Sequence, residues 1–248
     1  MTAALRAIGS APRRLKEMSP AEAAALMGED PRLIVPVGSC ETHGAHLPLG
    51  AATMIVERLA DDLSSAYGVL CAPAVEYGVV RVGAPPTPGD SAVHRKTLHR
   101  FLNDLLAHWE TAGFREFILL SANDHALHQE ALVTVVTSGA RVRVADLWSI
   151  PMEDLLTTDP GPLPGGEAET SLLLHLAPAL VRTDLARDHP VTVAELRRYR
   201  AGRLRVPDGS AGSLGCPRAA TGPTGRALYE RLRQKIGQRL FLTTAGVA

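Results

Sequence analysis

The chain has 248 residues, 46% of them hydrophobic, with 26 Lys and Arg balanced against 26 Asp and Glu; this fits one globular domain over residues 1–248 with a sizeable core. Zero net charge argues against the basic face that nucleic-acid binders need, and the arginine-rich "LRRYRAGRLR" (196–205) reads as a solvated loop or helix. No window reaches the roughly 18 apolar residues of a membrane span, and Cys40, Cys71 and Cys216 have neither zinc-ribbon spacing nor the density of a disulfide scaffold, so a reducing cytoplasm without export is expected.

Residues 1–30 form an N-terminal segment carrying an arginine pair. After it, short apolar runs alternate with helical stretches, the signature of βαβ units and a mainly parallel sheet, so the fold class is α/β. "RLIVPVGS" (32–39), "GVLCAPAV" (68–75), "REFILLSA" (115–122) and "RVRVADLW" (141–148) read as four strands, short, rich in branched residues and bounded by Gly, Pro or polar residues. Apolar residues at three- and four-residue spacing predict a helix over 51–67. A second starts in the segment from Ser91 and stacks Leu98, Leu102, Leu105, Leu106 and Trp109. Further helices are expected over 126–137, over 167–176 after the turn-rich "DPGPLPGG", and in the final "RALYERLRQKIGQRL". Residues 201–226, rich in Gly, Pro and Arg, read as an irregular excursion.

In open parallel sheets, ligands gather beyond the carboxyl ends of the strands. Three clusters of His and Glu belong there: "CETHGAH" after the first strand, "NDHALH" after the third, and "GGEAET" before the helix at 167. Glu41 and His43, two apart in an extended segment, point the same way and can reach one cation. His125 and His128, three apart, share a face if a helix starts there. Imidazole and carboxylate suit zinc, iron or manganese, and Glu167 or Glu169 can add a ligand or take a proton from metal-bound water. His46, and His94, His99, His108, His175 and His189, read as structural or solvated.

"VPVGSCETHGAHLPLG" resembles the first signature of the creatininase family, close to P-x-G-S-x-E-Q-H-G-x-H-L-P-L-x-T-D. "TAGFREFILLSANDH", "PGDSAVHRKTL", "GGEAETS" and "GSLGCPRAATGPTG" resemble its later motifs in the family's order, together spanning about residues 33–230. The resemblance implies a three-layer α/β/α sandwich, frequent hexameric assembly, and a metal site that hydrolyses C–N bonds of small molecules: a cyclic amide, a formamide, or a peptide bond in one cofactor pathway. It carries metal ligands onto Glu41, His43 and His125 and the glutamate of E-T-S onto Glu169, the first catalytic candidate; His128 and Glu167 join Glu169 as catalytic candidates from their own place in the second and third clusters.

Departures from the family pattern matter as much. The aspartate that bridges two metals falls on Ala52, the carboxylate after the second histidine is lost at Ala126-Leu127-His128, the histidine of H-A-G falls on Pro164, and the aspartate of G-D-P falls on Cys216. A bridged metal pair is therefore not expected, and at most one divalent metal (Zn, Fe or Mn) serves an amidohydrolase acting on an amide, cyclic amide or formamide. The alternative is a degenerate member without metal, repurposed for acid–base chemistry or ligand binding, or an inactive partner subunit in a homo-oligomer. Without a metal, Glu41 and Glu169 would approach each other, and one would have a raised pKa or pair with an arginine such as Arg81.

Overall fold

The structure is a computed structural model describing residues 11–80, 88–201, 203–204, 206–207 and 209–242. Four parallel strands, β1 (Arg32–Val37), β2 (Leu70–Cys71), β3 (Glu116–Ser121) and β4 (Arg141–Asp146), lie in the order β2-β1-β3-β4. β1 and β3 are in register from Arg32 opposite Glu116 to Val37 opposite Ser121. Both are buried on both faces after their first residue, which is why each reads as an unbroken apolar run.

Helices cover both faces. On one, Ile34, Ile118 and Leu120 pack against α2 (Ala51–Tyr67), α5 (Glu167–Leu176) and α7 (Gly222–Gly237). On the other, Leu33, Val35, Phe117 and Leu119 meet α3 (Arg95–Ala112) and α4 (Ala126–Val133). This is the expected three-layer arrangement. Because the chain runs from β1 to one side and then crosses to β3 on the other, the topological switch point lies between β1 and β3, where a ligand crevice opens.

Several boundaries differ from the sequence expectation. The second strand shrinks to Leu70–Cys71, continued by an isolated bridge between Val37 and Val75. Ser91 does not enter α3 but bridges Cys40. α4 stops at Val133, before the β-branched run Thr134 to Thr137, and the Asn103 side chain accepts from the Val136 N–H. The last helix begins earlier, at Gly222, inside the segment expected to be irregular. One helix was not foreseen, α1 (Pro20–Glu29), and another, α6 (Val193–Arg200), takes up the first half of the arginine-rich stretch read as a solvated loop or helix. Each opens with a reciprocal capping box, Ser19 with Glu22 and Thr192 with Glu195. That S/T-x-x-E signal was present in the sequence.

Candidate active site

β1 ends at Val37, and Gly38 follows with so little room that a Cβ there would lie 2.2 Å from the Thr53 hydroxyl oxygen of α2. This close approach starts the Ser39–His46 loop over the switch point. Glu41 Oε1 accepts from the Ser39 hydroxyl at 2.7 Å and from Asn123 Nδ2 at 2.8 Å. Asn123, just beyond β3, also accepts the His125 N–H at 2.9 Å through Oδ1. It thus links the loops after β1 and β3. The sequence reading did not single it out, although its place after the strand at the switch point was a usable signal.

His43 lies between two carboxylates. Its Nδ1 donates to Glu169 Oε2 at 2.6 Å, and its Nε2 stands 3.7 Å from Glu41 Oε1. Glu169 Oε2 also accepts the Gly165 N–H at 2.6 Å, and both side chains are buried. Burial acts against a charge on the His43 ring, but Glu169 and then Glu41 outweigh it and raise the imidazole well above its ordinary pKa. Burial also pushes the Glu41 carboxyl up, and the His43 and Ser39 contacts overcome that and hold it below the usual carboxylate value. The positive partner for Glu41 and Glu169 is therefore His43. Arg81, expected as an alternative partner, lies outside the described residues.

The remaining expected residues are placed differently. His125 is the residue before α4 and half-buried; among the described residues no group of three or more His, Cys, Asp and Glu is placed to hold a metal ion. His128 is fully buried. Its Nδ1 accepts the Val79 N–H at 3.2 Å, so Nε2 carries the proton shared with Ser121 Oγ at 3.2 Å. Desolvation lowers it to about 4, so it is neutral at pH 7. Glu167, fully buried, accepts from the N–H and hydroxyl of Thr157, the N–H and hydroxyl of Thr158, and the Asp159 N–H. Both its oxygens fasten the 157–159 turn to the start of α5. Ala52, where the family pattern has a carboxylate, is the second residue of α2 and fully buried in the core.

Residues 16–240 match the sequence model of the family described as Creatininase: Creatinine amidohydrolase. The chain belongs to the creatininase family. It is 31% identical over 233 residues to a mycofactocin precursor peptide peptidase of Mycobacterium tuberculosis, covering 86% of each chain. It is 24% identical over 232 residues to a creatinine amidohydrolase of Pseudomonas putida, covering 84% of this chain and 88% of that one. Among solved structures, one titled Creatininase Mn has a TM-score of 0.76 at 22% identity, covering 92% of this chain and 97% of that one. A mutant creatininase of Zn-Zn type gives 0.77 at 22% identity and the same coverage. These likenesses carry the fold, and as a creatininase-family member the chain belongs among amidohydrolases, which act on C–N bonds.

Proposed function

We propose that this creatininase-family chain hydrolyses a C–N bond of a small amide, cyclic amide or formamide at the Glu41–His43–Glu169 cluster, with at most one divalent ion. The observation that carries the reading is the His43 ring, fixed by Glu169 at Nδ1 and turned so that Nε2 faces Glu41. Metal-ligating histidines are held in this way, by a carboxylate on the other ring nitrogen.

The donors fit one ion in kind, provided that binding displaces the Nε2 proton of the His43 ring, which without an ion is the positive partner of the two carboxylates. Two atoms bound to one zinc at about 2.0–2.2 Å each can be no more than about 4 Å apart, and Glu41 Oε1 and His43 Nε2 are 3.7 Å apart. A second ion does not fit, because Ala52 supplies no bridging carboxylate and its surroundings are apolar core. With two converging protein donors rather than three, the ion would be held weakly, by Glu41 and His43, with His125, whose N–H is held by the same Asn123 side chain that binds Glu41, the further donor proposed. When bound, such an ion polarises a carbonyl and acidifies water. The protein's own part is to orient. Glu169 keeps the His43 Nδ1 proton and fixes the ring plane, while Ser39 and Asn123 hold the Glu41 carboxylate by Oε1. Burial around His43 and Glu169 excludes bulk water from the ring's far side. We place His128 and Glu167 outside the groups that move protons, since the hydrogen bonds of both are committed to the fold.

A metal-free variant of this reading draws on the same count of two converging donors. In it, the Glu41 carboxylate takes the proton of an attacking water and the His43 Nε2–H faces the carbonyl oxygen. One experiment separates them. Protein purified without chelator is analysed for metals, then titrated with Zn²⁺, Mn²⁺ and Fe²⁺ while thermal stability and amine release are followed. The amides are N-formyl amines and short peptides, the last because of the peptidase relatives, and creatinine, for which opening of the ring is followed in place of amine release. Fewer than about 0.3 ions per chain with no rise in melting temperature would sink the metal-bound form; amine release under those conditions would establish the metal-free one. No amine release or ring opening from any amide, with or without metal, would sink the hydrolase reading.

A further inference from the structure

His46 is 1% exposed, lies three residues past His43, and touches neither Glu41 nor Glu169 by hydrogen bond. Its Nε2 is 3.1 Å from the Gly165 carbonyl oxygen and 2.9 Å from Thr170 Oγ1. A carbonyl only accepts, so Nε2 carries the proton and Nδ1 is a bare acceptor. That Nδ1 is buried and has no hydrogen-bond partner among the described residues. It faces Gly44, where a Cβ would lie 2.7 Å away. An apolar side chain would fill this space without burying an unmet acceptor, which costs stability. What the imidazole brings in exchange is the Nε2–H donor.

The peptide that receives it is unusual in three ways. Gly165 has φ +61°, and a Cβ on it would sit 2.4 Å from the His43 carbonyl oxygen, so the position requires glycine. Glycine in that region has broad, shallow torsional wells and does not hold its own orientation. Its N–H is the group that meets Glu169 Oε2 at 2.6 Å, beside the His43 Nδ1–H on the same oxygen. The Gly165 carbonyl and N–H belong to successive peptide units. With the His43 segment packed on one side, restraining the carbonyl on the other narrows the φ and ψ open to Gly165, and with them the direction of the N–H. The Thr170 hydroxyl donates to the same carbonyl at 3.2 Å.

We infer that His46 is a positioning residue of the site: its Nε2–H, with the Thr170 hydroxyl, locks the Gly165 backbone so that the Gly165 N–H and the Glu169 carboxylate together hold the His43 ring. Burial, which keeps His46 below its ordinary pKa, leaves it a neutral donor. The functional consequence rests on the Glu41–His43–Glu169 reading, whereas the test reads hydrogen bonding alone, so a chain that hydrolyses nothing still passes or fails it.

The test uses full-length protein labelled with ¹⁵N-histidine. In the wild type, His46 is expected as the Nε2–H tautomer, and the His43 Nδ1 proton as a far-downfield resonance slow to exchange with water. His46→Gln keeps an amide donor near the Nε2 position and should retain that resonance. His46→Leu, with an unchanged far-UV spectrum and cooperative melt, should lose it to solvent exchange. Thr170→Val, a near-isosteric change that tolerates failure of the leucine variant to fold, should speed its exchange. A wild-type His46 protonated on Nδ1 overturns the inference at once. So does a folded His46→Leu protein with the His43 resonance unaltered, a His46→Gln protein that loses it as His46→Leu does, or a Thr170→Val protein that exchanges no faster than wild type.

Discussion

Lowering the pH should destabilise the protein through His128, by an amount the structure sets. The ring is fully buried, accepts from the Val79 N–H and is neutral, with its pKa lowered from 6.5 to about 4. In the unfolded chain it would protonate near 6.5, so below that pH the unfolded state binds a proton the folded state refuses. Stability from this group is fully present above the unfolded value and is lost as pH falls toward about 4. At 1.36 kcal/mol per unit, the full loss is about 3 kcal/mol, most of it spent by pH 4.5. Because other groups titrate in the same range, the comparison is with His128→Asn, which cannot titrate. Urea unfolding of both proteins at pH 7.5, 6.5, 5.5 and 4.5 gives the stability gap between them. The gap should be widest at pH 7.5 and shrink by about 3 kcal/mol by the lowest pH. A gap that stays constant, or widens as pH falls, would refute the neutral buried assignment and return His128 to the groups that exchange protons in the site.

Glu169→Gln replaces the carboxylate behind His43 by an amide and should lower affinity for Zn²⁺ or Mn²⁺ by roughly 10–100-fold in calorimetric titration, with the fold intact. Unchanged affinity would remove Glu169 from the site. Ala52→Asp puts a carboxylate into fully buried core and should lower stability by about 3 kcal/mol in chelator; if the site can be returned to two ions, saturating Zn²⁺ or Mn²⁺ should restore more melting temperature than it gives wild type. Glu167→Ala strips the acceptor from five hydrogen bonds at the 157–159 turn and should cost about 3 kcal/mol or more in denaturant titration. A loss under ~1 kcal/mol would mean that water replaces the carboxylate there. Gly165→Ala should be harsher on His43 than on the core, since its methyl would meet the His43 carbonyl; an unperturbed His43 spectrum in that variant would contradict the geometry at Gly165.

Local pattern carried far along this chain. β1 and β3 could be read because strands buried on both faces are plain apolar runs, and α2 because its buried residues recur at helical spacing. Glu41 with His43 could be read because a two-residue offset in extended chain points side chains the same way. The capping boxes at Ser19 and Thr192 would have added α1 and decided α6 for helix. The want of a carboxylate at position 52 was also legible, since an alanine supplies no ligand in any fold.

What the sequence could not decide are the contacts between distant segments. His128 and Glu167 have the chemistry of site residues, and only Val79, Ser121 and the 157–159 turn, brought to them by packing, show that their hydrogen bonds are committed elsewhere. The reverse holds for Asn123, Gly165 and His46, ordinary in sequence and central in space. The sequence by itself determined the fold class, the family and a Glu-x-His pair at the end of the first strand, because these depend on periodicity and on neighbours a few residues apart. The tertiary structure decided that Glu169 stands 2.6 Å from His43 across 126 residues. It also decided that the Asn123 side chain joins Glu41 to the backbone of His125 across the ends of β1 and β3. Such closures depend on which strands lie side by side and how helices seat on them, and no local spacing encodes that.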